Sequence, residues 1–87
     1  MKPRILSWNV RGLNKRNKHL RVSNILRVLK ADIVCLQETK LQGMSHNIVH
    51  NFWGSSRVDW CCLDSSGALG GILIMWDNRW WRRLIYV

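Results

Sequence analysis

The spacing of apolar positions changes twice in the first 38 residues. The run across residues 4–10 is largely apolar and partly β-branched, and Gly12 breaks it, which predicts a strand. Leu13 to Asn17 reads as a loop, with Asn14 or Asn17 placed to cap the next helix. From about residue 17 to residue 30 the period lengthens. Val22, Ile25, Leu26 and Leu29 recur at i, i+3, i+4 and i+7, a single apolar stripe on a helix, with Arg21, Arg27 and Lys30 largely off it. Ala31-Asp32 turns the chain, and Ile33 to Leu36 is apolar on both faces, as in a strand of a parallel sheet covered on both sides. Strand, helix, strand makes a right-handed crossover. It brings Asn9 and Glu38 to the same edge of one sheet, where ligands of open α/β folds sit.

The second half reads as a succession of shorter strands. Asn47 to Trp53 and Arg57 to Leu63 are expected to be extended, and Asp64-Ser65-Ser66-Gly67 is a turn leading into Leu69 to Trp76. Asp77-Asn78 is a further turn, and Trp80 to Val87 has the composition of a last strand. Gly70-Gly71 lacks the spacing of a phosphate loop and reads as a bulge or a point of close packing. The expected class is α/β, a βαβ unit followed by antiparallel strands. The apolar stretch Leu84-Ile85-Tyr86-Val87 calls for a partner strand, so residues 1–87 read as a partial domain whose C-terminal part is absent.

Composition narrows the class of partner. A chain of 87 residues allows one domain at most, and 47% hydrophobic content with six tryptophans argues for a packed core rather than disorder. The net charge of +9 is confined to one end. Residues 1–30 hold nine Lys or Arg and no acid, whereas residues 31–87 hold five bases and five acids. Such a one-sided field favours a polyanion, and Arg11, Lys15, Arg16, Lys18 and Arg21 are the residues expected to meet nucleic acid. Three cysteines without a Cys-x-x-Cys pair fit neither a disulfide framework nor a zinc ribbon, and point to a reducing, intracellular setting. No signal peptide or membrane span is legible, and Lys15-Arg16-Asn17-Lys18 is at most a weak nuclear address.

Glu38 is the foremost candidate for chemistry. A carboxylate just past the end of a buried strand is rigidly held and faces a cleft, and Mg²⁺ is commonly held by one or two carboxylates with phosphates and waters. Its bland alternative is an ion pair with Lys40 or a nearby Arg. The Asn9 amide suits a phosphate oxygen or a metal-bound water, although Asn is also a common turn residue. His46 and His50 have i, i+4 spacing, but a strand there would leave zinc without converging ligands. His19, in the basic helix, is expected at the surface. Trp80-Trp81-Arg82-Arg83 is open to two readings, base stacking or packing against further strands.

Ser-Trp-Asn-Val-Arg-Gly-Leu (7–13), the helix, and Asp-Ile-Val-Cys-Leu-Gln-Glu-Thr-Lys (32–40) together resemble the opening of the endonuclease/exonuclease/phosphatase family, which has the DNase I-like fold. The wording is nearest the endonuclease domain of plant-type LINE (non-LTR) retrotransposons, the reverse transcriptase-associated nuclease. Ser66 to Trp76 resembles that family's glycine-rich strand. The resemblance implies the N-terminal portion of a four-layer α/β sandwich that cleaves phosphodiesters with Mg²⁺ or Mn²⁺. Glu38 would be the metal-binding carboxylate, and Asn9 would help build the phosphate and metal site. The family also uses a later Asp-x-Asn segment and a closing Asp-His pair, which cannot be placed here. The expectation is therefore a DNA endonuclease fragment that holds its metal weakly or not at all and is inactive as an isolated chain. Two alternatives remain: a small basic module that binds nucleic acid without cutting it, and a family member acting on a phosphorylated lipid or inositol or on abasic DNA.

Overall fold

A computed structural model describes residues 2–13, 15–41, 43–63 and 70–79. The elements are β1 (Ile5–Asn9), α1 (Arg16–Leu29), β2 (Ile33–Gln37), α2 (His46–Trp53), β3 (Val58–Leu63) and β4 (Ile72–Asp77). The expected α/β class holds. One four-stranded sheet has the order β1-β2-β4-β3. β1 and β2 run parallel, whereas β4 lies antiparallel to both β2 and β3, so the sheet is mixed rather than parallel. A parallel pair requires a long crossover, which α1 supplies, while β3 and β4 pair as antiparallel neighbours.

Alternation along the strands separates two faces. Val34 and Leu36 of β2, in register with Met75 and Leu73 of β4, are fully buried and form the floor of the core. Val22 and Leu26 of α1 and Val49 and Phe52 of α2 close it from above, with Val10 and Leu13 sealing one end. Burying a side chain the size of Phe52 or Leu36 is worth about 1.5–3 kcal/mol, so this cluster carries most of the stability available to so small a domain. On the opposite face Ile5 and Leu63 are exposed. β2 is therefore fully buried on one side only, with Ile33 and Cys35 half-covered on the other.

Three local expectations need correction. Residues 46–53 form a helix, not a strand. Ser45 caps it, its Oγ accepting from the Ile48 N–H at 3.3 Å, and Gly54 ends it with φ +87° and an N–H donated to the His50 carbonyl. Eight residues are too few for a helix to persist alone; Val49 and Phe52, one turn apart, fix it by packing into the core. The N-cap of α1 is Lys15, which offers no side-chain cap, and Asn17 lies within the helix; Asn14 falls outside the described residues. Leu29 belongs to the expected stripe but is exposed, because α1 ends there and Lys30 turns the backbone into the left-handed region. The Asp64–Gly67 turn, the expected strand at 80–87 and the Trp80–Arg83 cluster lie outside the described residues. Among the described residues, no helix is long and apolar enough to cross a membrane.

Candidate active site at the carboxyl ends of β1 and β2

Asn9 closes β1 and is paired in register with Gln37, so Glu38 is the first residue past the end of the neighbouring strand. Both expected residues therefore stand at one edge of one sheet. Beyond the strands the ladder continues through the loops. The N–H groups of Val10, Gly12 and Leu13 donate to the carbonyls of Gln37, Glu38 and Thr39 at 3.0, 2.7 and 2.8 Å. From the other side, Thr39 and Lys40 donate to the carbonyls of Gly71 and Gly70 at 3.2 and 2.6 Å. Residues 38–40 are held between two backbones, and the Thr39 side chain is buried beneath them at 2% exposure.

This clamped segment carries unusual backbone conformations. Arg11, Glu38 and Lys40 have φ of +53°, +54° and +55°, a region that costs a residue with a Cβ about 1–2 kcal/mol. Gly12 and Gly71 adopt φ of +100° and +89°, where glycine is at ease. The Arg11 turn is supported locally: its N–H donates to Asn9 Oδ1 at 3.1 Å, an Asx turn. That bond occupies one lone pair of the Asn9 amide oxygen and leaves its NH₂ group available as a donor. Gln37 donates to Ser7 Oγ at 3.1 Å on the same face of the sheet.

Glu38 is exposed, and among the described residues its carboxylate makes no hydrogen bond or ion pair; the bland expectation of a pairing with Lys40 or an Arg is not met there. A strained backbone, clamped from both sides, that presents an unpaired carboxylate is a pattern that marks functional positions. The donors here are oxygens, one charged and one amide, which suits a hard cation such as Mg²⁺ that completes its shell with water and phosphate. A site built from several His or Cys does not fit: among the described residues, no group of three or more His, Cys, Asp or Glu converges.

The basic residues divide into two kinds. Arg11, Lys15, Arg16 and Arg21 are exposed, and the first turn of α1 has no acid to offset its positive helix end. Lys18 is different. Its Nζ donates to the Val10 carbonyl at 2.7 Å, tying α1 to the loop that follows Asn9. His19 departs from the expectation of a surface residue, since its ring is half-buried, bonds the Leu13 carbonyl and packs on Phe52 with ring centroids 5.1 Å apart. The folding of 46–53 as a helix puts His46 and His50 one turn apart, with ring centroids at 6.1 Å. His46 Nδ1, however, accepts from the Trp60 indole N–H at 3.1 Å, which engages that nitrogen. Among the described residues, the one ion pair joins Asp77, the last residue of β4, to Arg79 in the turn that follows, at 2.6 Å and at the end of the strand away from Glu38.

Gly70 is the residue that sequence reasoning left without a function. A Cβ placed there would lie 3.1 Å from Glu38 Cα and Cγ and 3.3 Å from its Cβ. Of a bulge and a point of close packing, the two roles open to Gly70-Gly71, close packing is the one observed at this position. The signal was the glycine pair itself; its target was not legible.

Among curated proteins none matches the chain. A model of the Endonuclease/Exonuclease/phosphatase family does, over residues 6–83, a span that includes β1 from its second residue, both helices, β2, β3, β4 and the Asn9 and Glu38 loops. With that match and a partial DNase I-like α/β architecture around the two strand ends, the chain belongs to the endonuclease/exonuclease/phosphatase family.

Proposed function

We propose that this chain carries one wall of a metal-dependent, DNA-cleaving phosphodiesterase site. The observation that carries the reading is the exposed carboxylate of Glu38, unpaired among the described residues, one strand away from Asn9 and clamped at the end of β2. Glu38 would hold Mg²⁺ or Mn²⁺, and the Asn9 NH₂ would donate to a phosphate oxygen or to a metal-bound water. The cation, when bound, supplies polarisation of the phosphate and stabilisation of the leaving oxygen. Arg11 next to Asn9, with Lys15, Arg16 and Arg21 on α1, would draw the phosphate backbone toward this edge, and Lys18 would both support the loop and add charge. The wording of residues 7–13 and 32–40 is nearest the LINE-type endonuclease branch. The Gln37-Glu38-Thr39 segment is shared too widely to separate it from lipid, inositol or abasic-site relatives, and the basic first 30 residues lean toward a long polyanion.

Activation of water needs a positioned base. Among the described residues, no histidine is ion-paired to a carboxylate: His19 is engaged with Leu13 and Phe52, and His46 with Trp60. The 87-residue chain is accordingly expected to bind DNA and not to cut it. The test is incubation of the purified chain with supercoiled plasmid and Mg²⁺, beside Glu38→Gln. Salt-sensitive binding with nicking no higher than the variant supports the reading. Robust nicking that depends on Glu38 overturns the inactivity, and binding that is insensitive to salt overturns the polyanion assignment.

A further inference from the structure

We infer that Gly70 is a positioning residue for the Glu38 carboxylate, an inference that rests on Glu38 being the metal ligand. The two glycines that precede β4 differ in why they are glycine. Gly71 adopts φ +89°, so its own backbone accounts for its identity. Gly70 is not among the residues with positive φ, so conformation does not demand a glycine there. What demands it is space. Its missing Cβ would stand 3.1 Å from Glu38 Cγ on the side chain and 3.1 Å from Glu38 Cα on the backbone, tighter than nine in ten Cβ contacts.

Neither partner can easily retreat. The Glu38 backbone is fixed by the Gly12 N–H on its carbonyl and by the Thr39 and Lys40 N–H groups on the carbonyls of Gly71 and Gly70. Gly70 is thus bonded through its carbonyl to the segment whose side chain lies over its Cα. A methyl group at 70 is relieved at Glu38 Cγ by rotation of the side chain and at Glu38 Cα and Cβ by a shift of a few tenths of an ångström, and both displacements move the carboxylate. Gly70 therefore sets the direction of Glu38, and it does so without touching metal or substrate.

The experiment uses the 87-residue chain and Mn²⁺ as the probe. Mn²⁺ affinity is measured by water-proton relaxation, and the Glu38 side-chain rotamer by three-bond NMR couplings, in the unmodified chain, Gly70→Ala, Glu38→Gln and the double variant. Gly70→Ala is expected to shift the Glu38 rotamer and weaken Mn²⁺ binding roughly 10- to 100-fold, the range for a residue that orients a ligand. In the Glu38→Gln background it is expected to add nothing. Gly43→Ala is the control for general loss of stability, because Gly43 has φ +87° and a methyl group there would meet no atom within 4 Å. It should leave both readouts unchanged. If Gly70→Ala does not fold, Gly70→Ala with Glu38→Gly should fold, since the contacts at Cβ and Cγ are then gone; failure of that pair overturns the inference. So does an unchanged Glu38 rotamer in Gly70→Ala. Mn²⁺ binding that is equal in the unmodified chain and Glu38→Gln overturns the metal reading instead, which separates the two failures.

Discussion

Replacing Glu38 tests whether the fold carries strain for the sake of its candidate ligand. Glu38 sits at φ +54°, where a residue with a Cβ costs about 1–2 kcal/mol relative to the right-handed region. Glycine removes that cost but brings extra freedom to the unfolded chain, which offsets about 0.4–1 kcal/mol of the gain. The side chain is exposed and, among the described residues, unpaired, so its removal forfeits little packing or hydrogen bonding. Glu38→Gly is therefore expected to be more stable than Glu38→Ala by about 0.5–1 kcal/mol. For a domain of this size that is a rise in Tm of roughly 2–8 °C. Glu38→Asn should fall between them, because Asn tolerates the left-handed region better than Ala. Urea unfolding followed by tryptophan fluorescence and thermal unfolding followed by circular dichroism give the order directly. A ranking with Ala equal to or above Gly would refute the reasoning, since the native state would then be under no strain at this residue. The same Glu38→Gly chain should lose its Mn²⁺ binding, so stability and the candidate function move in opposite directions.

Other perturbations test separate parts of the structure. Arg16→Glu places an acid in the first turn of α1, which has none, and should stabilise the chain by about 0.3–1 kcal/mol in urea unfolding. The same change should weaken DNA binding and lower its salt slope by about 0.9 for each phosphate that Arg16 neutralises. Lys18→Met removes the bond to the Val10 carbonyl and should cost about 1.5–3 kcal/mol, read by urea unfolding and by faster amide exchange at Gly12 and Leu13. Phe52→Ala empties a site at 1% exposure and should cost about 3–5 kcal/mol, enough to unfold much of a small domain, seen as collapsed amide dispersion. The Arg79 guanidinium holds the Asp77 carboxyl below the usual carboxylate range. A depressed folded-state pKa stabilises above the unfolded value near 4 and loses that contribution as pH falls through the folded one, so the stability gap between the chain and Asp77→Asn should be constant above about pH 5 and close in acid.

Much of this protein is legible in its residues because local periodicity is decisive where one element is long or one face is buried. β1, α1 and β2 follow from the change of period between residues 4 and 36, and the edge shared by Asn9 and Glu38 follows from that order. The segment at 46–53 misled because Ile48, Val49, Phe52 and Trp53 are few enough to suit either period; the telling signs were the brackets, Ser45 and Gly54, which act only once the turn is formed. Other features depend on residues far apart in the chain. The antiparallel placement of β4 beside β2 makes the sheet mixed, and it brings Gly70 under Glu38 across 32 positions of sequence. The withdrawal of Lys18 and His19 from the basic surface likewise arises from the approach of α1 to the loop after Asn9. By itself the sequence determined the candidates for chemistry and the sheet edge they share, since the succession of elements along the chain and the charge of each residue are local properties. Only the tertiary structure decided how Glu38 is held, because left-handed backbone at a charged residue and space left by a distant glycine exist only when three loops pack together.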